Sequence, residues 1–180
     1  MNRKKQVVDQ IIDAIDKLDV DDDSGIGKQL FRDVMEHNLS IKNLFKVEDR
    51  MLDALYALGY SQYKQHQYKS AGEIFHVLVC MDHKNLTFII ALGMCFQMRN
   101  EYDHAIKIYL SAIHQNPKFA LGYLRLCECY FKQSNWDMFS KSFELLTKLE
   151  KLGYVDKAML KHKATLASKY EVLSSINQNK

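Results

Sequence analysis

A single interval, recurring through the middle of the chain, decides what it can fold into. Gly59, Gly93 and Cys127 stand at equal steps along the sequence. Three further columns keep the same step: Tyr68, Tyr102 and Trp136; Ala71, Ala105 and Phe139; Phe75, Tyr109 and Phe143. The step, about 34 residues, is the length of one helix–turn–helix unit, which cannot bury its apolar face alone and does so by stacking on its neighbours. The spacing predicts three helix pairs, at 48–65 and 68–81, 85–99 and 102–115, and 118–133 and 136–151. Pro117 cannot continue the helix before it. Asn100 and Asn135 stand just before Tyr102 and Trp136, where a side-chain cap would satisfy free backbone N–H groups. Gly153 is placed to take the left-handed conformation after the last pair.

The copies read LYALGYSQYKQHQYKSAGEIF, FIIALGMCFQMRNEYDHAIKIYLSAIHQNP and GYLRLCECYFKQSNWDMFSKSFELL. They resemble the tetratricopeptide repeat, W-x2-L-G-x2-Y…A-x3-F…P. The second copy matches best, through Leu92, Gly93, Phe96, Tyr102, Ala105, Tyr109, Ala112 and Pro117. The third is degenerate, with Cys127 at the Gly position and Phe139 at the Ala position. The resemblance implies an all-α fold in which three tandem tetratricopeptide repeats form a right-handed superhelix. The division expected is 1–47 for N-terminal helices and a connector, 48–152 for the repeats, and 153–180 for a C-terminal capping helix and tail.

The flanks carry their own patterns. Val7, Val8, Ile11, Ile12, Ile15 and Leu18 make a narrow apolar stripe at helical spacing. The run Asp19-Val20-Asp21-Asp22-Asp23-Ser24-Gly25 breaks it, because Asp and Gly are poor helix interiors and like charges repel. A second short helix is expected at about 28–37, with Leu30, Phe31, Val34 and Met35 on one side. A segment so short needs a surface to dock on, which could be its own repeats or a second subunit. Dimerisation through these residues is one expectation. Residues 39–47 read as a connector anchored by Leu44, Phe45 and Val47. The last helix, about 155–176, carries Ala158, Leu166, Tyr170 and Leu173 among many Lys, which suits the cap that an open repeat edge needs.

Composition removes several classes of function. The net charge of +3 is too small to signal nucleic acid, although eight Lys against four acidic residues follow from Lys141 onward. No apolar run approaches the roughly 20 residues of a membrane span. Asp9, Asp13 and Asp16 interrupt what would be the apolar part of a signal peptide, so the chain reads as cytoplasmic, with no direct membrane binding. Cys80, Cys95, Cys127 and Cys129 form no disulfide framework. Cys127 and Cys129 point about 200° apart on a helix and do not converge on one metal ion. Nothing assembles a nucleophile, a base and an oxyanion site, so neither an enzyme nor a cofactor is expected.

A helical-repeat array turns part of each first helix toward its concave side. In register these positions are Asp53, Tyr56, Tyr60 and Tyr63; Thr87, Ile90, Met94 and Gln97; and Leu121, Leu124, Glu128 and Phe131. Tyr56, Tyr60 and Tyr63 follow i, i+4, i+7 spacing and stand in a row. On an isolated helix such a stripe would be core; here the repeat register assigns the core to other columns. The phenols, with Ile90, Met94, Gln97, Leu124 and Phe131, then form a candidate groove for an extended peptide. Met adds an adaptable surface.

The run LDALYALGYSQYKQHQYKSAGEIFHVLVCMDHKN, with FIIALGMCFQMRNEYDHAIKIY after it and HNLSIKNL before it, looks like the class II chaperones of bacterial type III secretion. The likeness covers about residues 28–150. It implies a cytoplasmic bacterial protein that keeps translocator proteins soluble and unassembled before export. Such a protein grips an extended client segment in the concave groove, has no cofactor, and can form a homodimer through its N-terminal helices. Three features depart from that pattern: a sequence pI near 8.5, where the family is usually acidic; an extension at 3–18; and a longer, more basic C-terminal helix. The alternative reading is a generic scaffold of this repeat class. Versions that bind an acidic C-terminal tail need Lys, Arg and Asn in the groove, where this chain has Tyr, Ile, Met and Leu.

Overall fold

The computed structural model of the chain describes residues 40–44 and 46–178. All regular structure among them is helical: α1 Ile41–Leu44, α2 Asp49–Lys64, α3 Tyr68–Met81, α4 Leu86–Met98, α5 Tyr102–Gln115, α6 Ala120–Lys132, α7 Trp136–Lys151 and α8 Lys157–Gln178. From α2 to α7 each helix packs on the next, α2 also touches α4, and α8 lies against α6. The second helix of each pair has the bounds that the spacing predicts, while the first helices begin slightly later than expected. The N-terminal segments expected at 7–18 and 28–37, including Leu30, Phe31, Val34 and Met35, lie outside the described residues.

The turn inside each pair is itself a repeated object. His66, Asn100 and Ser134 have φ of 62°, 61° and 55°, and they occupy the same column of successive repeats. In each turn this residue donates its N–H back to Tyr63, Gln97 or Phe131, and the next residue donates to Gln62, Phe96 or Tyr130. That is the double closure of a Schellman motif, with a left-handed residue satisfying the last carbonyls of the helix. Asn100 therefore ends α4 and does not cap α5 as the sequence suggested. The residue immediately before α5 is Glu101, and its side chain makes no capping bond. Asn135 does cap α7, accepting from the Met138 N–H, and Asn85 caps α4 through Thr87 and Phe88. Gly153, at φ 81°, closes α7 in the same left-handed way.

Close approach within a pair depends on a bare backbone. A Cβ built on Gly93 would lie 2.9 Å from Cδ1 and Cζ of Tyr109 and closer still to Cε1. The Tyr109 ring is fully buried, and its hydroxyl donates to Gln97 Oε1 at 2.8 Å, so it cannot step aside. Gly59 is covered in the same way by Phe75, whose Cε1 would be 2.9 Å from an added Cβ. The third pair exchanges large for small. Cys127 supplies a side chain where the others have none, and Phe143, in the ring column, is only partly buried. Phe139, in the Ala column, is 2 % exposed and fills the space. Phe139 and Phe143 stack at 5.6 Å, and Tyr170 of α8 covers Phe139 at 4.7 Å. The terminal helix thus buries the degenerate pair, through Leu166 and Tyr170.

Two outcomes follow. Gly93→Ala should destabilise by about 1–3 kcal/mol through overpacking, outweighing the roughly 1 kcal/mol that Ala contributes in a helix. Gly72→Ala, where the nearest atom is Cys95 Cβ at 3.4 Å, should keep that gain. Denaturant midpoints of the two variants should move in opposite directions. Burial pushes the Cys127 and Cys129 thiols up to about 12 and Cys95 to about 11, while Cys80 is exposed. At pH 8 the folded protein should take one alkylating group rapidly, at Cys80, and the unfolded protein four, as counted by mass spectrometry.

Candidate peptide-binding groove

The concave side of the first two pairs holds a cavity of about 300 Å³. Tyr56, Tyr60 and Tyr63 of α2 form one wall, and Thr87, Ile90, Ala91 and Met94 of α4 form the other. Phe119 and Leu121, at the start of the third pair, close one end, and Phe75 lies beneath. The repeat register is what brings α2 and α4 side by side with the same face inward. Tyr56 and Tyr60 have parallel rings, 8° between planes and 6.4 Å apart, and Tyr56 rests on Phe75 at 5.5 Å and Phe88 at 5.8 Å. Tyr63 meets the edge of Tyr68 at 5.2 Å. Tyr60 is 46 % exposed, with the Lys64 ammonium 5.3 Å from its ring centre.

The three phenols are not equivalent. Tyr56 and Tyr63 are half-buried and pack on the core around Phe75, so the register does not leave them wholly free. Burial, and then the neighbouring Tyr60, raise the Tyr56 hydroxyl above its usual value. Burial also raises Tyr63, against the opposing pull of the Arg125 charge. Both stay protonated across the physiological range and present hydroxyl donors to the cavity.

Beyond Tyr63 the concave side becomes polar. Glu128 of α6, only 8 % exposed, accepts from Gln97 Nε2 at 2.8 Å and from one Arg125 guanidinium nitrogen at 2.9 and 3.2 Å. His162 Nε2 of α8 lies 2.9 Å from the other side of the carboxylate. Gln97 passes the chain of bonds on to Tyr109 through its Oε1. Burial pulls Arg125 down, and the Glu128 charge more than offsets it, so the guanidinium is held above its usual value. A carboxylate with three partners is the condition under which a buried charge is tolerated.

Tyr56, Tyr60, Tyr63, Ile90 and Met94 therefore line one cavity, together with Thr87 and Leu121. Three expected groove residues do not line it. Gln97 is engaged by Glu128 and Tyr109. Leu124 is 1 % exposed in a cluster with Ala120, Leu146 and Leu149, because α7 covers that column in the third pair. Phe131 packs against Trp136 at 5.6 Å and Phe139 at 5.9 Å, and it borders a separate hollow beside Ser168, Lys169 and Val172 of α8. Sequence reasoning missed Phe119, which precedes α6 and has no aromatic counterpart in its column. It also missed Arg125 and His162, the second of which stands in a helix outside the repeat.

Residues 52–85 match the tetratricopeptide-repeat family model. The low calcium response locus protein H of Yersinia pestis is 30 % identical over 87 residues, 43 % of this chain and 52 % of that protein. The chain thus spans about half the length of curated relatives that it matches, of which the Yersinia pestis protein is one. Among solved structures, a type III secretion complex from Aeromonas hydrophila superposes with a TM-score of 0.72 at 20 % identity, covering 84 % of this chain and 99 % of that one. The Yersinia enterocolitica translocator chaperone SycD gives 0.67 at 23 %, over 74 % and 98 %. Pseudomonas aeruginosa PcrH, solved with the chaperone binding region of PopD, gives 0.63 at 22 %, over 73 % and 96 %. The chain accordingly has the fold of the type III secretion translocator chaperones, a tetratricopeptide-repeat array closed by a C-terminal helix.

Proposed function

We propose that this protein is a cytoplasmic bacterial chaperone of type III secretion that holds an extended segment of a translocator in the cavity between α2 and α4. The observation that carries this reading is the aromatic cavity itself: Tyr56, Tyr60 and Tyr63 facing Ile90 and Met94, on a fold shared with proteins solved bound to PopD, PopB and YopD segments. An extended strand can place an apolar side chain between the two walls, and each such side chain contributes about 1.5–3 kcal/mol on full burial. The protonated phenols donate to the strand's backbone, so capture needs neither a cofactor nor ATP. Binding the unassembled client shifts its equilibrium away from aggregation by mass action.

The reading is non-enzymatic. No helix among the described residues is long and apolar enough to cross a membrane. A scaffold that grips an acidic tail is less well served, because the cavity is lined mainly by aromatic and apolar side chains, and Arg125 beyond it is already committed to Glu128.

Tyr60 separates binding from folding, since half of its ring faces outward. Tyr60→Ala with Tyr63→Ala should leave helicity intact and weaken binding of a translocator segment at least tenfold, by calorimetric titration against overlapping peptides of the client. Unchanged affinity in the doubly substituted protein would remove the groove from the mechanism.

A further inference from the structure

A hollow between α3 and α4 is open where the next repeat has filled it. It measures about 310 Å³, with Leu92, Cys95 and Phe96 of α4 on one wall, Gly72 of α3 on the other, and the exposed Lys69 and Arg99 at its edge. One repeat later the walls are nearly the same: Leu126, Cys129 and Tyr130 of α6 hold the columns of Leu92, Cys95 and Phe96. The filling differs. Ile106 stands in the column of Gly72, is 9 % exposed, and clusters with Leu126, Cys129 and Tyr130. The edge there is closed by Gln133 Nε2, which donates to Asp103 Oδ1 at 2.8 Å. Gln133 and Asp103 hold the columns of Arg99 and Lys69, so in the earlier interface the acceptor of that bond is replaced by a cation. A Cβ on Gly72 would meet a single neighbour, Cys95 Cβ at 3.4 Å. The α3–α4 interface thus lacks both the aliphatic side chain and the carboxylate that complete the α5–α6 interface.

We propose that this hollow docks a helix of a partner protein, one that presents an Asp or Glu one turn before a branched aliphatic side chain. The occupant is read from α5, where Asp103 and Ile106 stand three apart and share one face. The aliphatic group takes the place of Ile106 against Leu92 and Cys95, and the carboxylate meets Lys69 and Arg99. Charge supports the acid. Lys69 forms no ion pair among the described residues. Arg99 uses one guanidinium nitrogen on Glu101, at 2.6 Å, and keeps further N–H donors. Its guanidinium also lies 5.7 Å from the Phe96 ring centre, which holds it beside the opening. Glu73 is the one carboxylate lining the hollow, and among the described residues it pairs with neither cation. The site is independent of the groove: on α4, Ile90 and Met94 line the groove cavity, while Leu92 and Arg99 line the hollow.

The probe is a lactam-stapled, alanine-based helical peptide that carries Asp and, three positions on, Ile, with binding to the full chain read by fluorescence anisotropy. It should bind at least about tenfold more tightly than a twin with Ser for Ile. It should also bind more tightly than a twin with Lys for Asp, by a margin that shrinks as salt is raised. Gly72→Ile fills the hollow as Ile106 does one repeat later. It should cut the affinity at least about tenfold while the denaturant midpoint holds or rises. Lys69→Asp, at an exposed position, should reverse the preference between the Asp and Lys peptides. Tyr60→Ala with Tyr63→Ala should leave the affinity unchanged, so this site and the groove are read separately. Equal affinity for the probe and its Ser twin would overturn the proposal, as would no binding at millimolar probe or affinity that survives Gly72→Ile. Should Gly72→Ile lower the midpoint, an unaltered peptide preference in Lys69→Asp would overturn it instead. Displacement of the probe by equimolar isovalerate would overturn it too, assigning the hollow to a small branched carboxylate.

Discussion

A phenol ring pressed against an unsubstituted stretch of helix, Tyr109 against Gly93, sets how closely two helices of a pair can come. Phe75 on Gly59 repeats it one unit earlier. With no Cβ between them the backbones approach, and the pair can present a narrow, consistently tilted edge to the next one. Stacking such edges with the same sense curves the array, and the curvature creates the hollow between α2 and α4. The third pair cannot use this device, because Cys127 occupies the place of the glycine. It relies instead on Phe139 and on α8, which brings Tyr170 and Leu166 to the same spot. The terminal helix is therefore part of the third pair's core as well as its lid.

The concave side divides by chemistry at Tyr63. On one side aromatic and thioether surface faces solvent across a gap of side-chain size. On the other, Glu128 gathers donors from three helices, with Gln97 extending the chain of bonds to a fourth. Taking a carboxylate out of water costs several kcal/mol, repaid only when its partners are complete. The arrangement is strict about geometry: Gln97 uses its amide nitrogen for Glu128 and its oxygen for Tyr109, which fixes the amide's orientation. The wet end of the groove is thereby rigid, and the dry end is the part with room to adapt.

Most of the architecture could be read from one interval. The repeat step placed all six helices of the pairs, and the second helix of each fell where its aromatic landmark begins. The turns were harder, because His66, Asn100 and Ser134 adopt a left-handed backbone without the glycine that usually advertises it. Asn100 consequently resembled a helix start when it is a helix stop. In the groove, the register located Tyr56, Tyr60, Tyr63, Ile90 and Met94 at one surface, since period alone settles which side of a helix faces inward. It could not show that Leu124 is roofed by α7 or that Phe131 belongs with α8. Those facts depend on the third pair's swap of large and small residues and on a helix that has no counterpart in the repeat. His162 illustrates the limit: packing alone brings it to Glu128, with no pattern in the chain to announce the pairing.

Repeat arrays ordinarily hold together like a row of tiles, each bonded only to its neighbours, and they peel from either end. The Glu128 brace changes that for this chain. By tying α4 and α5 to α6 and α8, it adds polar bonds that run across the last two pairs and reach the terminal helix, beyond the packing of neighbours alone. The aromatic hollow lies beside this brace, between α2 and α4. The α4 wall of the hollow is thus tied, through Gln97 and Glu128, to the terminal helix, the element farthest from it along the chain.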